Sequence, residues 1–227
     1  MKDAMIKTEK LSKRYRTGGG IVHALSEATL TVRRGEFVAI TGESGSGKTT
    51  LMNLLGCLDS ATSGEYYLDG ENVSRLCPGR RTWIRNRKIA CVFQGFNLLP
   101  GLTAAENTAL PLIYRGLSRR AGLERAEEAL AAVGLSMRSS HKPTELSGGQ
   151  QQRVAIARAI AADTPVILAD EPCGSLDSRS GNRVMELLHE ENRRGKTVVL
   201  ITHDPAAAKT ADRIIYVSDG RVGNIPM

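Results

Sequence analysis

A glycine-rich loop that ends in lysine and threonine is the strongest chemical signal in the sequence. Positions 42–50 read GESGSGKTT, and Gly42, Gly47, Lys48 and Thr49 match the pattern GxxxxGK[ST]. Glycines let backbone N–H groups surround phosphate oxygens, and a following helix adds its positive amino-terminal end. Lys48 suits the β- and γ-phosphates of a nucleotide, and the Thr49 hydroxyl suits Mg²⁺. The loop predicts a nucleoside triphosphate site, which also includes Ser44, Gly45, Ser46 and Thr50.

A pair of acidic residues follows an apolar strand later in the chain. The run VILAD at 166–170 places four apolar residues before Asp170, and Glu171 follows at once. P-loop proteins hold Mg²⁺ with a carboxylate at such a strand end, so Asp170 is predicted to bind the metal. Adjacent strand residues point in opposite directions, which leaves Glu171 free for another task. We assign Glu171 to orienting and deprotonating the attacking water.

A second glycine pair stands at the start of another predicted helix. Positions 146–150 read LSGGQ and lead into QQRVAIARAIAA, a segment rich in helix formers. Ser147 and the N–H groups around Gly148 and Gly149 form a second end suited to an anion. A simple P-loop kinase or GTPase has no use for such an element, so that class is excluded.

Length and composition describe an ordinary globular chain. It has 227 residues, of which 41% are hydrophobic and 24% charged. No run reaches the roughly 18 apolar residues of a membrane span, and the charged start lacks the apolar core of a signal peptide. We therefore expect a cytosolic protein. The four cysteines lack CxxC spacing, which favours reduced thiols over a zinc site.

The net charge of +7 fits three kinds of partner: nucleic acid, an anionic membrane surface, or simply phosphate ligands. The densest basic stretch lies at 79–88. It is either a solvated helix face or a surface close to lipid head groups, and charge alone does not separate the two.

The order of predicted elements indicates an α/β fold. Apolar strands at 35–41, 166–170 and 196–204 alternate with helices, which is typical of a mostly parallel sheet flanked by helices. Strand-like segments near the amino terminus and at 63–73 predict an antiparallel β subdomain, and 213–222 is interpreted as one closing strand.

The domain organisation follows from a change in composition. The segment 96–161 is rich in helix formers and poor in β-branched residues, so it is predicted to be an inserted α-helical subdomain. Residues 1–95 and 162–227 then form the core of a single domain that spans 1–227.

The motifs, taken in this order, resemble those of the nucleotide-binding subunits of ATP-binding cassette (ABC) transporters over nearly the whole chain. LSGGQ is that family's signature, and it lies between the helical insert and ILADEP, as in the family. The resemblance implies that Tyr15 stacks on adenine and that His203, in LITHD, contacts the γ-phosphate. It also implies that Gln94, in VFQGF, joins the metal site to the helical subdomain, and that Asp177, in GSLD, crosses to a partner subunit.

The resemblance gives the second glycine pair a purpose. In the family, the signature caps the γ-phosphate bound to the P-loop of a second subunit. Ser147, Gly148, Gly149 and Gln150 are therefore expected to serve a partner's nucleotide. Two copies paired head to tail with twofold symmetry complete two sites for ATP and Mg²⁺.

Longer stretches, such as FQGFNLLPGLTAAENTALPLIYRG, look like the macrolide-exporter and lipoprotein-release (MacB/LolD) subgroup. That resemblance implies a permease partner with four membrane helices and a large extracytoplasmic domain. It also implies peripheral attachment to the inner face of the membrane, and dimer closure that drives movement beyond it. The stretch 95–112 is then expected to help form a groove for a permease helix. Glu43, Cys173 and Ser175 depart from the subgroup's usual residues.

Two other functions stay open at the level of sequence. One is an ATP-dependent switch on a permease-like partner that controls a cell-envelope enzyme without transport. The other is a nucleic-acid- or ribosome-associated ABC ATPase, which the positive charge suggests. Such proteins usually carry two cassettes or a long coiled-coil insert, which this chain lacks, so no nucleic acid is expected.

Overall fold

The computed structural model describes residues 3–224, which fold into two β-sheets and a set of helices. The strands are β1 (Ala4–Thr17), β2 (Gly20–Arg33), β3 (Phe37–Thr41), β4 (Ser63–Leu68), β5 (Glu71–Asn72), β6 (Ile89–Phe93), β7 (Val166–Asp170), β8 (Thr197–Ile201), β9 (Arg213–Ser218) and β10 (Arg221–Asn224). The α-helices are α1 (Lys48–Leu55), α2 (Pro78–Lys88), α3 (Ala104–Tyr114), α4 (Arg119–Ala132), α5 (Gly148–Ala162), α6 (Ser178–Arg193) and α7 (Pro205–Ala208).

A six-stranded sheet in the order β10-β9-β3-β8-β7-β6 forms the centre of the fold. Strands β3, β6, β7, β8 and β9 run parallel, and β10 runs antiparallel to β9. The first four residues of β3 and of β7 and all five of β8 are buried, because other elements pack on both faces of the sheet. Because these strands are parallel, the carboxyl ends of β3, β6, β7 and β8 lie along the same edge of the sheet.

The chain end differs from its prediction. A single strand over 213–222 is wrong, because β9 and β10 form a hairpin. Asp219 and Gly220 make its turn, and both have positive φ angles, 48° and 72°. An Asp-Gly pair favours this geometry, so the sequence contained the signal for the hairpin.

A four-stranded antiparallel sheet in the order β2-β1-β4-β5 forms a second layer, as the sequence predicted. β1 and β2 pair along their length and turn at 17–20. One hydrophobic core joins this sheet to α1 and to one face of the central sheet; it includes Leu11, Leu25, Leu51 and Val199.

The helices α3, α4 and α5 pack on one another within the segment predicted to be helical. Their apolar residues, such as Leu112, Leu130 and Val154, share one core with Val92 and Ile167 of the central sheet. The division at 95/96 and 161/162 stays a prediction. Within residues 3–224, no helix is both long and apolar enough to cross a membrane.

Candidate nucleotide site

The glycine-rich loop lies between β3 and α1, where the backbone approaches other strands closely. Gly42 has a φ of 149°, and a Cβ atom there would lie 2.1 Å from the carbonyl oxygen of Val217. Gly47 has a φ of 106°, and its Cβ atom would lie 2.5 Å from the carbonyl oxygen of Ala24. Glycine is therefore required at both positions. Lys48 Nζ donates hydrogen bonds to the carbonyl oxygens of Gly42 (2.8 Å) and Glu43 (2.6 Å).

The loop fits a phosphate group on two structural grounds. The N–H groups in the first turn of α1, which includes Thr49 and Thr50, have no acceptor within the helix. The Ser46 hydroxyl is buried without a hydrogen-bond partner among the described residues. Ser44 and Gly45 are exposed on the loop. The residues predicted to contact the phosphates thus lie together.

The acid pair lies at the carboxyl edge of the central sheet, two strands from the P-loop. Asp170 ends β7 and is partly buried. Burial and the charge of Glu171 raise the pKa of Asp170, while the charge of Lys48 acts in the opposite direction. A half-buried carboxylate this close to an acid and the P-loop lysine is suited to a cation, because a bound cation offsets the cost of its burial.

Glu171 lies outside strand β7, so strand alternation does not separate it from Asp170 as predicted. Strand β7 ends at Asp170, and Glu171 adopts a φ of 44°, so strand alternation does not set its direction. Its N–H donates to the carbonyl oxygen of Ile201 at 2.9 Å, which ties it to the end of β8. The separate roles predicted for the two acids therefore depend on the left-handed conformation of Glu171.

Glu171 meets two residues that follow β8. His203 Nδ1 lies 2.8 Å from Glu171 Oε1, and Thr202 Oγ1 donates to Glu171 Oε2 at 3.4 Å. The Glu171 side chain is only 16% exposed, whereas that of His203 is 70% exposed. The carboxylate is therefore held from two sides while the histidine faces solvent. Thr202 was not predicted, since a threonine before a histidine is not a distinctive signal in the sequence.

The raised pKa of Asp170 leads to a prediction about stability. A carboxyl with a raised folded-state pKa is more costly to ionise in the fold than in the unfolded chain. At neutral pH, Asp170→Asn is therefore expected to raise the melting temperature of the nucleotide-free protein while weakening ATP hydrolysis. Thermal denaturation across pH provides the measurement. The gain in melting temperature should shrink as the pH falls toward 3.8, the ordinary pKa of an aspartate, because Asp170 then becomes protonated. A lower melting temperature for Asp170→Asn at pH 7 would contradict this prediction.

Gln94 follows β6 at the same edge of the sheet. Its side-chain nitrogen lies 3.0 Å from where a Cβ atom of Gly174 would stand, so Gly174 lets the loop that begins with Gln94 approach the segment 172–177. Arg158, on α5, donates to the carbonyl oxygens of Asn97 (2.7 Å) and Phe96 (3.0 Å). The loop after Gln94 is thereby anchored to the helix that carries LSGGQ.

The LSGGQ segment forms the beginning of α5. Ser147 Oγ accepts from the N–H of Gln150 at 3.3 Å, and Gln150 Oε1 accepts from the N–H of Ser147 at 2.9 Å. This capping box fixes the first turn and leaves the N–H groups of Gly148 and Gly149 without acceptors in the helix. The helix start predicted at LSGGQ is present with free N–H groups, and the Gln150 side chain contributes to its shape; anion binding there stays a prediction.

The start of α5 packs closely against the start of α6. A Cβ atom on Gly149 would lie 2.6 Å from Ser180 Oγ. Ser180 in turn donates from its backbone N–H to Asp177 Oδ1 (2.9 Å) and from its hydroxyl to Asp177 Oδ2 (2.8 Å). Asp177 therefore caps α6 next to the LSGGQ glycines.

Tyr15 lies near the end of β1. Its hydroxyl donates to Asp59 Oδ2 at 2.9 Å, and burial, followed by this hydrogen bond, raises the pKa of Tyr15. Asp59 lies at the end of the stretch LMNLLGCLD, and nothing in the sequence linked it to Tyr15, which is 44 residues away.

A phosphate-binding strand–loop–helix unit beside an acid pair, at the carboxyl edge of a parallel sheet, defines the P-loop class of nucleotide-hydrolysing proteins. Comparisons with known proteins narrow this class. A model of the ABC transporter family matches residues 25–174.

Similar proteins cover almost the whole chain. The chain is 49% identical over 223 residues to the ABC transporter ATP-binding protein MJ0796 of Methanocaldococcus jannaschii, covering 96% of this chain and 95% of that one. It is 48% identical to the macrolide export ATP-binding/permease protein MacB of Mannheimia succiniciproducens, but spans only 34% of that protein. A solved dimer of MJ0796 bound to ADP and Pi has a TM-score of 0.91 and 46% identity, covering 98% of this chain and 100% of that one.

The chain belongs to the ABC transporter family, as an ATP-binding cassette with ATPase activity. The predicted fold class, a P-loop core with an antiparallel sheet and added helices, is confirmed.

Proposed function

We propose that the protein is the ATP-hydrolysing subunit of a membrane complex, in which ATP closes a head-to-tail dimer of two copies. The observation that carries the proposal is that two helices of one chain, α1 and α5, begin with glycine-flanked first turns whose free N–H groups are suited to an anion. A P-loop that binds a single nucleotide needs only the helix end at α1. The dimeric structures of the similar cassette MJ0796 support the pairing.

In each site, the P-loop of one copy holds the phosphates. Gly42–Thr50 supply backbone and hydroxyl donors, and Lys48 moves from the loop carbonyls to the phosphate oxygens. Thr49, Asp170 and Gln94 would hold Mg²⁺, whose chemistry is to neutralise charge on the β- and γ-phosphates. Tyr15 stacks on the adenine ring.

Glu171 is the general base for the attacking water in this proposal. Thr202 and His203 fix its carboxylate, so one lone pair is directed at the water rather than free to rotate. His203 donates to Glu171 through its Nδ1–H group. Its other ring nitrogen, Nε2, can donate to a phosphate oxygen when the imidazole carries a proton on both nitrogens. With both ring nitrogens protonated, His203 would join the base and the γ-phosphate in one hydrogen-bonded chain.

The second copy supplies the other half of each site. Its Ser147 hydroxyl and the N–H groups of Gly148 and Gly149 cap the γ-phosphate, and Gln150 maintains the turn that presents them. Asp177, bonded to Ser180 beside this turn, places the loop that crosses between subunits. Closure is thus coupled to the presence of the γ-phosphate.

A groove of about 750 Å³ offers a docking site for the membrane partner. It is lined by residues that include Trp83 and Arg87 of α2, Cys91 of β6, Pro111 and Tyr114 of α3, and Arg158 of α5. Tyr114 is 78% exposed, as suits a contact residue. In the stretch 95–112, Asn97, Leu110 and Pro111 line the groove, whereas Ala104, Ala109 and Leu112 are buried in the core.

The partner proposed for this groove is a permease with four membrane spans and a large extracytoplasmic domain. Relatives such as MacB combine an ATP-binding part and a permease in one protein, and this chain spans 34% of that length. The chain would then act at the cytoplasmic face of the membrane and drive export or extraction of a substrate by dimer closure.

Affinity purification from the protein's own membranes tests this proposal. The tagged chain, solubilised in mild detergent, should bring a stoichiometric four-span protein that mass spectrometry identifies. Trp83→Glu, which places a charge in the groove, should lose that partner and retain ATP binding, whereas Met137→Glu, at an exposed position outside the groove lining, should retain both. Recovery only in the soluble fraction, with ribosomal proteins or nucleic acid, would overturn the membrane role.

A further inference from the structure

Asp59 is the centre of a polar cluster between β1 and the segment that follows α1. Its Oδ2 atom accepts from the Tyr15 hydroxyl at 2.9 Å, and its Oδ1 atom accepts from Lys13 Nζ at 2.7 Å. Lys13 also donates to the carbonyl oxygen of Ser60 at 2.8 Å, and the Ser60 N–H donates to Asp59 Oδ1 at 2.6 Å. Both carboxylate oxygens are therefore occupied.

The cluster is more shielded than a typical surface ion pair. The side chain of Lys13 is 12% exposed and that of Asp59 is 29% exposed. Burial alone would raise the pKa of Asp59, but the hydrogen bonds from Lys13, Ser60 and Tyr15 more than offset it, so the pKa is lowered. The carboxylate stays charged at neutral pH, and charge-assisted hydrogen bonds of this kind hold their partners firmly.

These contacts restrict the Tyr15 ring in two ways. The hydrogen bond to Asp59 fixes its hydroxyl end, and Lys13 Nζ lies 4.9 Å from the ring centroid. The cation covers one face of the ring, which leaves the opposite face for a base. Because Asp59 follows α1, and α1 begins at Lys48, the position of the ring is tied to the helix that carries the P-loop.

We propose that Asp59 is a positioning residue that holds the Tyr15 ring at the correct place for the purine base of the bound nucleotide. This inference rests on the proposed stacking of adenine on Tyr15. Asp59 acts on affinity for the base and not on the phosphates or the attacking water.

Steady-state kinetics of Asp59→Ala provide the test. Loss of the hydrogen bonds that order the ring is expected to raise the KM for ATP roughly tenfold and to leave kcat within about twofold. Inhibition by tripolyphosphate, which has no base, should be unchanged. Glu65→Ala is the matched control, because it removes a carboxylate that pairs with Arg75 and lies on β4, in the same sheet as Tyr15. It should change neither constant.

Tyr15 variants separate the possible outcomes. Tyr15→Phe removes the hydroxyl but keeps the ring and the bonds of Asp59 to Lys13 and Ser60, so it should raise the KM by a smaller factor. In a Tyr15→Ala background, Asp59→Ala should have no further effect on the KM, because it acts through the ring. Weaker inhibition by tripolyphosphate in Asp59→Ala, or a further rise in KM in the Tyr15→Ala background, would overturn the inference.

The inference and the proposed function fail in different ways. If Tyr15→Ala itself leaves the KM for ATP unchanged, adenine stacking on Tyr15 is wrong. If Tyr15→Ala raises the KM and Asp59→Ala does not, only the positioning role of Asp59 is wrong.

Discussion

Replacing Glu171 with glutamine is expected to lower ATP turnover by about 10²–10⁴-fold, the usual contribution of a general base, while ATP stays bound. Glutamine retains an oxygen that accepts from His203 Nδ1, so the geometry around β8 is preserved. It cannot take a proton from water, so the nucleotide that closes the dimer is not consumed. The variant should therefore accumulate as a closed dimer.

Phosphate release and light scattering measure the two consequences of Glu171→Gln. With Mg·ATP, the variant should scatter as a dimer, whereas the wild-type chain should return to monomers as ATP is hydrolysed. Glu186→Gln is a suitable control because it removes a carboxylate on α6 that is 61% exposed and pairs with Arg183. A Glu171→Gln chain that stays monomeric with ATP bound would refute ATP-driven closure.

Gly149→Ala is expected to lower the rate of ATP hydrolysis by a factor of about 10² or more. This is the loss that follows when a preorganised hydrogen-bond donor is removed from a reacting centre. The added Cβ would lie 2.6 Å from Ser180 Oγ and 2.9 Å from Ser180 Cβ, and this serine cannot turn away without breaking its bond to Asp177. The start of α5 must therefore shift and carry Ser147 with it. ATP binding to the chain's own P-loop should be unchanged.

A second substitution distinguishes this steric explanation from general instability. Ser180→Gly removes both close atoms, so Gly149→Ala combined with Ser180→Gly should recover much of the ATPase rate. Gly148→Ala is the comparison for folding, since its Cβ would meet only ordinary contacts, 3.7 Å from Phe96 and 3.9 Å from Leu176. If the ATPase rate falls equally in Gly149→Ala and in the double variant, the contact with Ser180 is not the cause of the loss.

The sequence predicted the parts of the site that are encoded locally. The P-loop, the apolar strand before Asp170 and the helix that starts at LSGGQ each combine a short pattern with a fixed position relative to a strand or helix. Parallel strands bring their carboxyl ends to one edge of the sheet, and Gln94, Asp170 and His203 lie at or just after three such strand ends.

Features that depend on tertiary contacts were not predictable in the same way. The positive φ of Glu171 is stabilised by a hydrogen bond to Ile201, which comes from another strand. The pairing of Asp59 with Tyr15 joins residues far apart in sequence that have no shared motif. The closing hairpin is different, because its Asp-Gly turn was visible in the sequence and was interpreted as part of a continuous strand.

Cross-linking between chains tests the composite site most directly. One copy of the chain carries Ser44→Cys, and a second copy, made longer so that the two can be told apart by size, carries Ser147→Cys. Both copies also carry Glu171→Gln and have the exposed Cys77 replaced by serine. Burial raises the pKa of Cys57 and Cys173 to about 11 and that of Cys91 to about 12, so these thiols stay protonated and react slowly with maleimides.

A short bis-maleimide is then added to the mixed chains with and without Mg·ATP. If LSGGQ of one copy closes the P-loop of the other, a product of one long and one short chain should appear only with ATP. Absence of that product, together with an internal cross-link in a single chain that carries both cysteines, would contradict the two-chain site.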